Sequence, residues 1–328
     1  MSRVLCCVLL CLAAVSFGGV AAAQTTLRFG HYAAPEDTAA KAAEHFKTLV
    51  EEKTAEAVVI SLHPAGELGN SPTMLQGVRL GTIDLTVVGN PYFTSFAPEL
   101  NLLDLPFLFE SPAHAYAVLD GEVGQTLMAG LAKHRMKGLA LWEIGFRDIT
   151  TSDTPVHGPE DLQGLKLRTT PNPAHVKAFE IWGAKATPMP FSEVYLALQT
   201  GAVDGQENPI NHIYASRLHE VQRHLSITHH AYTASPLVMN LSKFNGLPPE
   251  HQEALLAAAL EAATFERQLN AELEAASLAA MVEAGVQVVE NPDVEAFRSA
   301  VAEAVRASYS EQFGDELLRA VDAARSAD

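Results

Sequence analysis

The stretch from Pro249 to about Glu283 constrains this chain more than any other. It lacks glycine, carries proline only at its first position and is rich in Ala, Leu and Glu. It therefore predicts one helix of about 30 residues, about 45 Å long at 1.5 Å per residue. A rod of that length exceeds a single small domain, so it predicts a strut running along two lobes.

The start of the chain predicts export. Arg3, the apolar run 4–17 and Ala21-Ala22-Ala23 before Gln24 have the pattern of a secretory leader, residues 1–23, cleaved after Ala23. Gly18 and Gly19 interrupt the run and no polar stop-transfer flank follows, which disfavours a membrane anchor. All three cysteines, Cys6, Cys7 and Cys11, fall inside this leader. The expected mature chain has no disulfide, thiolate metal site or cysteine nucleophile. Against 39 Asp+Glu the chain has only 22 Lys+Arg, a formal charge of -17. Nucleic acid and anionic membrane surfaces are therefore poor partners, and an anionic ligand has to be caught by local cations.

The roughly 300 residues that remain are enough for two domains. Leu27 and Phe29 alternate with polar neighbours as in a strand, and Pro35-Glu36-Asp37 opens a helix with apolar marks at Ala40, Ala43, Phe46 and Val50. A buried strand at 58–62, a helix at 71–80 and a short strand at 85–88 complete a strand, helix, strand, helix, strand order. That order builds a parallel or mixed sheet covered by helices. A second such unit begins near Ala140. Its 141–145 segment is strand-like, and Leu165-Lys166-Leu167-Arg168 alternates so that Lys166 and Arg168 share one face. Helices are expected at 173–182, from Ser192 to Gly201, at about 292–308 and at 311–326. No flexible linker separates the units, so several segments should cross between them.

Catalytic patterns are missing: there is no G-x-S-x-G elbow, Walker loop, G-x-G-x-x-G after a strand, or H-E-x-x-H. His212, His224, His229 and His230 cluster in sequence and invite a metal reading. Adjacent histidines on a strand point to opposite faces, however, and no dense His/Asp loop follows, so neither metal nor cofactor is expected. More informative are Arg147 and Arg168, each placed where a strand should finish, the position at which open α/β sheets bind ligands. A guanidinium fork matches a carboxylate in two parallel hydrogen bonds. The same residues are equally suited to ion pairs with acids of their own chain, and spacing leaves both readings open.

The segment from Phe146 to Pro209 carries G-F-R-D-I-T-T-S, P-E-D-L-Q-G-L-K-L-R and P-M-P-F-S-E-V-Y-L-A-L-Q-T-G-A-V-D-G-Q-E-N-P. With P-A-G-E-L-G-N, M-L-Q-G-V-R-L-G-T-I-D, L-D-L-P-F-L-F and N-G-L-P-P-E-H-Q elsewhere, it resembles the DctP family of solute-binding proteins of TRAP (tripartite, ATP-independent) transporters over nearly the whole mature chain. One departure is Asn245-Gly246, where the family often has an aromatic pair. The resemblance implies a two-lobed α/β periplasmic binding protein fold, with a ligand cleft between the lobes and a long helix spanning both. It implies that Arg168 forms the principal salt bridge to a ligand carboxylate, that Arg147 and Asn208 add contacts, and that Phe191 packs on the ligand. The lobes are expected at 24–144 plus about 234–273, and at 145–233 plus about 274–328.

Ligand choice is expected from the first lobe, where His31, Glu67, Asn90, Trp142 and Asn240 are candidates, although polar residues at strand ends also simply cap helices. The resemblance implies a periplasmic, monomeric binding protein, not an enzyme. It would take a small organic anion and pass it to a small and a large integral membrane subunit. A sugar acid such as a hexuronate or a C4-dicarboxylate fits, with Glu67 and Asn90 tilting the balance to the sugar acid because both suit hydroxyls. An exported enzyme using His31 or His229 as base, and a sensor for a membrane receptor, are the competing readings.

Overall fold

A computed structural model describes residues 24–327; the leader expected at 1–23 lies outside them. The strands are β1 (Thr25–His31), β2 (Val58–His63), β3 (Leu85–Val87), β4 (Met136–Thr151), β5 (Lys166–Thr169), β6 (Lys185–Pro188), β7 (Gly205–Asn208), β8 (His224–Asn240) and β9 (Gln287–Val289). The first helices are α1 (Thr38–Lys53), α2 (Ser71–Leu80), α3 (Pro112–Asp120), α4 (Glu122–Gly130), α5 (Pro173–Ile181) and α6 (Val194–Gln199). They are followed by α7 (Ile210–Ala215), α8 (Leu241–Asn245), α9 (Pro249–Glu283), α10 (Val294–Phe313) and α11 (Glu316–Ala323). Among the described residues no helix is long and apolar enough to cross a membrane.

One mixed sheet runs β2-β1-β3-β8-β4-β7-β5-β6, with β9 beside β8. Its spine is the antiparallel ribbon of β4 and β8, paired from Met136↔Asn240 to Thr151↔His224. Parallel strands attach at opposite ends of that ribbon. On one side β3 pairs with the 237–239 end of β8 and leads to β1 and β2. On the other, β7 pairs with the 148–151 end of β4 and leads to β5 and β6. The two-lobed architecture follows, because each parallel set needs its own helices while the ribbon and α9 serve both.

The ribbon corrects one expectation. The 141–145 segment does not end before Arg147 but continues as a 16-residue strand. Gly145 adopts φ +120°, and the register slips between Glu143 and Gly145 and again between Arg147 and Ile149. Such bulges bend a strand and re-aim its side chains without ending it. Arg147 therefore sits inside a strand that crosses the molecule, and the bulges on either side set its direction.

The strut is present from Pro249 to Glu283, about 52 Å at 1.5 Å per residue. Its first half buries Leu255, Ala258, Ala259 and Ala262 in a core with Phe29, Phe46, Trp142 and Val58. Near its far end Met281 joins a second core with Val194, Leu198, Ile210 and Ile213. Between them, where neither core reaches, Glu266, Arg267 and Asn270 are buried and polar. There Glu266 accepts from the Glu143 backbone N–H (2.9 Å), and Arg267 pairs with Asp120 through both Nη atoms (2.6 and 2.9 Å).

Candidate functional site

A cleft with about 330 Å³ of empty volume, open solvent included, lies where the two ends of the sheet face one another. Tyr32, Ser71, Gly89, Pro91 and Tyr92 line it from the β1/β3 side, and Arg168, Thr170, Phe191, Asn208 and His212 from the β5–β7 side. Ile144, Arg147 and Thr233, from the ribbon, form its floor.

Arg168 is 1% exposed. Lys166 and Arg168 share the face of β5 opposite Leu167, which is turned into the core; Lys166 is in solvent at the strand start, whereas Tyr92 and Met189 cover Arg168 further along. Its Nη2 donates to the Met189 carbonyl (2.9 Å) and the Tyr92 hydroxyl (3.3 Å). Nε and Nη1 are buried and have no hydrogen-bond partner. Desolvation works against the charge and pulls the guanidinium below its ordinary value, but arginine stays protonated in proteins. Among the described residues Arg168 is a buried cation with donors to spare and no carboxylate partner.

Arg147, also 1% exposed, is in the opposite condition. Its Nε and Nη2 grip both carboxylate oxygens of Glu207, Nη2 to Oε1 at 3.0 Å. Nη2 also reaches Asn208 Oδ1 (3.0 Å), and Nη1 reaches Thr233 Oγ1 (3.1 Å). Burial pushes the Glu207 carboxyl up, but Arg147 and His230 outweigh it and hold Glu207 well below the carboxylate range. For this residue the own-chain ion pair, one of the two readings left open by spacing, is what forms. Arg147 still lines the cleft, but its charge is compensated.

Asn208 and Phe191 both line the cleft. The Asn208 amide donates to Gln206 Oε1 (2.6 Å), so Arg147 and Gln206 fix its orientation. The Phe191 ring lies 6.0 Å from the Arg168 guanidinium and 4.3 Å from the His212 ring at a 34° tilt.

The other five candidates lie outside the lining. Trp142 is in the first core, its Nε1 donating to the Ala259 carbonyl (3.0 Å). Asn240 caps α8 by accepting from Lys243 N (3.0 Å) and donates to the Val78 carbonyl (2.7 Å). Asn90 donates to the Leu100 carbonyl (2.8 Å) and Asp104 Oδ2 (2.7 Å), and Glu67 is exposed beside His63. His31 is buried next to Phe29, and desolvation lowers its pKa to about 4. The geometry gives no support to ligand contact by these residues, and the tilt towards sugar acids drawn from Glu67 and Asn90 loses its basis. Tyr32 and Tyr92, unremarked in the sequence, stand in the lining instead. Tyr32 follows His31 directly, so parity of side-chain direction was the available signal.

The histidines do not converge. His229 pairs with Asp148 (3.1 Å), His230 approaches Glu207 (3.4 Å) and His212 bonds Asp37 (2.6 Å). Among the described residues no three His, Cys, Asp or Glu side chains gather as metal ligands would. A larger hollow of about 1150 Å³ lies against α3, α9 and the Glu143 to Phe146 segment, but its cation, Arg267, is spent on Asp120.

Residues 29–312 match the model of the DctP family, bacterial extracellular solute-binding protein, family 7. The chain is 44% identical to the 2,3-diketo-L-gulonate-binding periplasmic protein YiaO of Escherichia coli K12 over 313 residues, 95% of each. A TRAP periplasmic solute-binding protein from Polaromonas sp. JS666, bound to D-erythronate, superposes with a TM-score of 0.89 at 36% identity, covering 92% of this chain and 99% of the other. The sugar acid binding protein DctPAm from Advenella mimigardefordensis, in complex with galactonate, gives 0.89 at 32% identity, covering 93% and 99%.

Proposed function

This chain belongs to the DctP family of bacterial extracellular solute-binding proteins, the substrate-binding components of TRAP transporters and not enzymes, and from that premise we propose that it captures a hydroxylated monocarboxylic acid on Arg168. The carrying observation is the buried Arg168 guanidinium, whose Nε and Nη1 have no partner among the described residues. A ligand carboxylate supplies the missing acceptors and the missing charge in one group, through charge-assisted bonds of roughly 1.5–3 kcal/mol.

Charge counting narrows the ligand. Arg147 is neutralised by Glu207, and His212 faces Asp37. The β1/β3 side contributes only Tyr32, Ser71, Gly89, Pro91 and Tyr92, all uncharged. One free cation among the described lining residues matches one carboxylate, and a second buried carboxylate would stay uncompensated at a cost of several kcal/mol. Hydroxyls and amides of Tyr32, Ser71, Tyr92, Thr170, Asn208 and Thr233 suit the hydroxyl or keto groups of a sugar acid, the class named for the Escherichia coli and Advenella relatives. A C4-dicarboxylate fits this lining less well.

The capture cycle is that of a closing cleft. The carboxylate docks on Arg168, and groups of the β1/β3 side reach it as the lobes shut, so the ligand favours the closed state by its differential affinity. The slips in β4 at Gly145 and Arg147 support a hinge in the ribbon, close to the lobe division 24–144 plus about 234–273 against 145–233 plus about 274–328. Removal of residues 1–23, work as a monomer in the periplasm and delivery to a small and a large membrane subunit complete the reading.

Calorimetry with matched acids tests it. Gluconate and glucarate differ in one carboxylate, as do glycerate and tartronate. Tighter binding of the monoacid in each pair is expected; tighter binding of the diacids would overturn the charge count, and absence of carboxylate binding would overturn the role of Arg168.

A further inference from the structure

Asp37 and His212 stand on opposite sides of the cleft. Asp37 follows β1 and caps α1, its Oδ1 accepting from Ala39 N (2.9 Å). Its other oxygen, Oδ2, lies 2.6 Å from Nδ1 of His212, on α7 directly after β7. Both side chains are 5% exposed. The His212 ring leans on Phe191 at 4.3 Å and meets the edge of Tyr32 at 5.5 Å. Alongside, the Tyr92 hydroxyl accepts from Arg168 Nη2 (3.3 Å) and the Phe191 backbone N–H (2.9 Å). The Asp37–His212 contact and both Tyr92 contacts join a residue that follows β1 or β3 to one that lies on β5 or follows β6 or β7.

We propose that the Asp37–His212 pair is a closure latch, with His212 as a positioning residue that holds Phe191 against the bound ligand. The proposal rests on the carboxylate-binding reading of the same cleft. The division of labour within Asp37 motivates it. Oδ1 is committed to the α1 N-terminus whether the cleft is open or shut, because cap and helix move together. Oδ2 finds its partner only when α7 comes across. A buried, hydrogen-bonded pair is strongly weakened by losing one member, because the other is left desolvated and unpaired. In the open cleft both groups return to water, so the pair contributes to the closed state alone. A latch of this kind acts on ligand release and leaves entry largely unchanged, since entry occurs through the open form.

The test uses Asp37→Asn, which keeps an oxygen to cap α1 and removes the charge facing His212, and His212→Gln. Stopped-flow measurement with the acid identified by calorimetry should show dissociation faster by at least about tenfold in each variant, with association within about twofold. The double variant should be no worse than the worse single one, as for partners in one pair. Cleft opening has its own readout. Residues 24–328 contain no cysteine, so spin labels at exposed Glu52 and Lys185 report the distance between the sides, and both variants should shift it to longer values in the liganded protein. Unchanged dissociation and distance in both variants would overturn the latch. So would an effect of His212→Gln without one of Asp37→Asn, which would assign the role to ring packing alone. Wild-type protein that binds no carboxylate would instead end the reading of the site. The latch, which rests on that reading, would fall with it.

Discussion

Arg168 and Arg147 are equally buried and line the same cleft, yet their surroundings differ. Register is the cause. On β4, Arg147 lies two residues before Ile149, which pairs with Glu207 of β7 across the antiparallel ladder, so the neighbouring strand brings an acid within reach. On β5, Arg168 pairs with Thr187 of β6, and β7 meets β5 at Gly205 opposite Leu167. No acid arrives there. Whether a buried guanidinium serves the fold or a ligand is decided by what the adjacent strand places opposite it.

Removing each charge in turn should separate the two roles. The largest effect is expected from Arg147→Met, which strands the Glu207 carboxylate in the interior and should lower stability in urea titration by about 3–5 kcal/mol. A loss under about 1 kcal/mol would mean that His230, 3.4 Å from Glu207, compensates the acid alone and that the comparison is overdrawn. Arg168→Met should do the reverse. Affinity falls at least about 100-fold, roughly 3 kcal/mol, while the unliganded protein melts at the same temperature or higher, because a desolvated cation has been removed. Unchanged affinity would sink the assignment of the ligand cation.

A third buried base sharpens the contrast through pH. His31 has its pKa lowered from 6.5 to about 4 by desolvation, partly offset by Asp37 and Glu67. The unfolded chain therefore binds more protons than the folded one between those values, so stability from this residue is present above about pH 6.5 and is lost as pH falls towards 4. The loss amounts to about 2 kcal/mol by pH 5. His175, lowered to about 3 mainly by desolvation, acts in the same direction, whereas the raised carboxyls of Glu143 and Glu266 act in the opposite one. The readout is accordingly the difference between wild type and His31→Gln in melts from pH 7.5 to 5, which should grow in favour of the variant as pH falls. The smallest effect belongs to Tyr92→Phe, which deletes one acceptor from Arg168 and should cost about 1 kcal/mol of affinity. A loss as large as that of Arg168→Met would place Tyr92 on the ligand itself.

Much of the frame was legible because it is local. A run without glycine between Pro249 and Glu283 can hardly be anything but a helix, Pro35-Glu36-Asp37 before an apolar 3.6-residue period opens another, and strict alternation at 165–168 puts Lys166 and Arg168 on one face of a strand. The motif around Phe146 to Pro209 added Asn208 and Phe191, which do line the cleft. The first side of the cleft was less legible, since none of its five candidates is in the lining, and the reason is physical. Each strand end offers several polar residues of similar chemistry, and a one-residue change of parity exchanges His31 for Tyr32.

Sequence alone thus determined the helical strut, the alternation of strands and helices and the placing of two arginines at strands of the second unit, since these depend on residues close along the chain. Only tertiary structure decided that β4 runs on through a bulge, that Glu207 reaches Arg147 and that nothing of the kind reaches Arg168. Those outcomes depend on the register of strands some forty to sixty residues apart, and register is set by how two whole lobes share one ribbon.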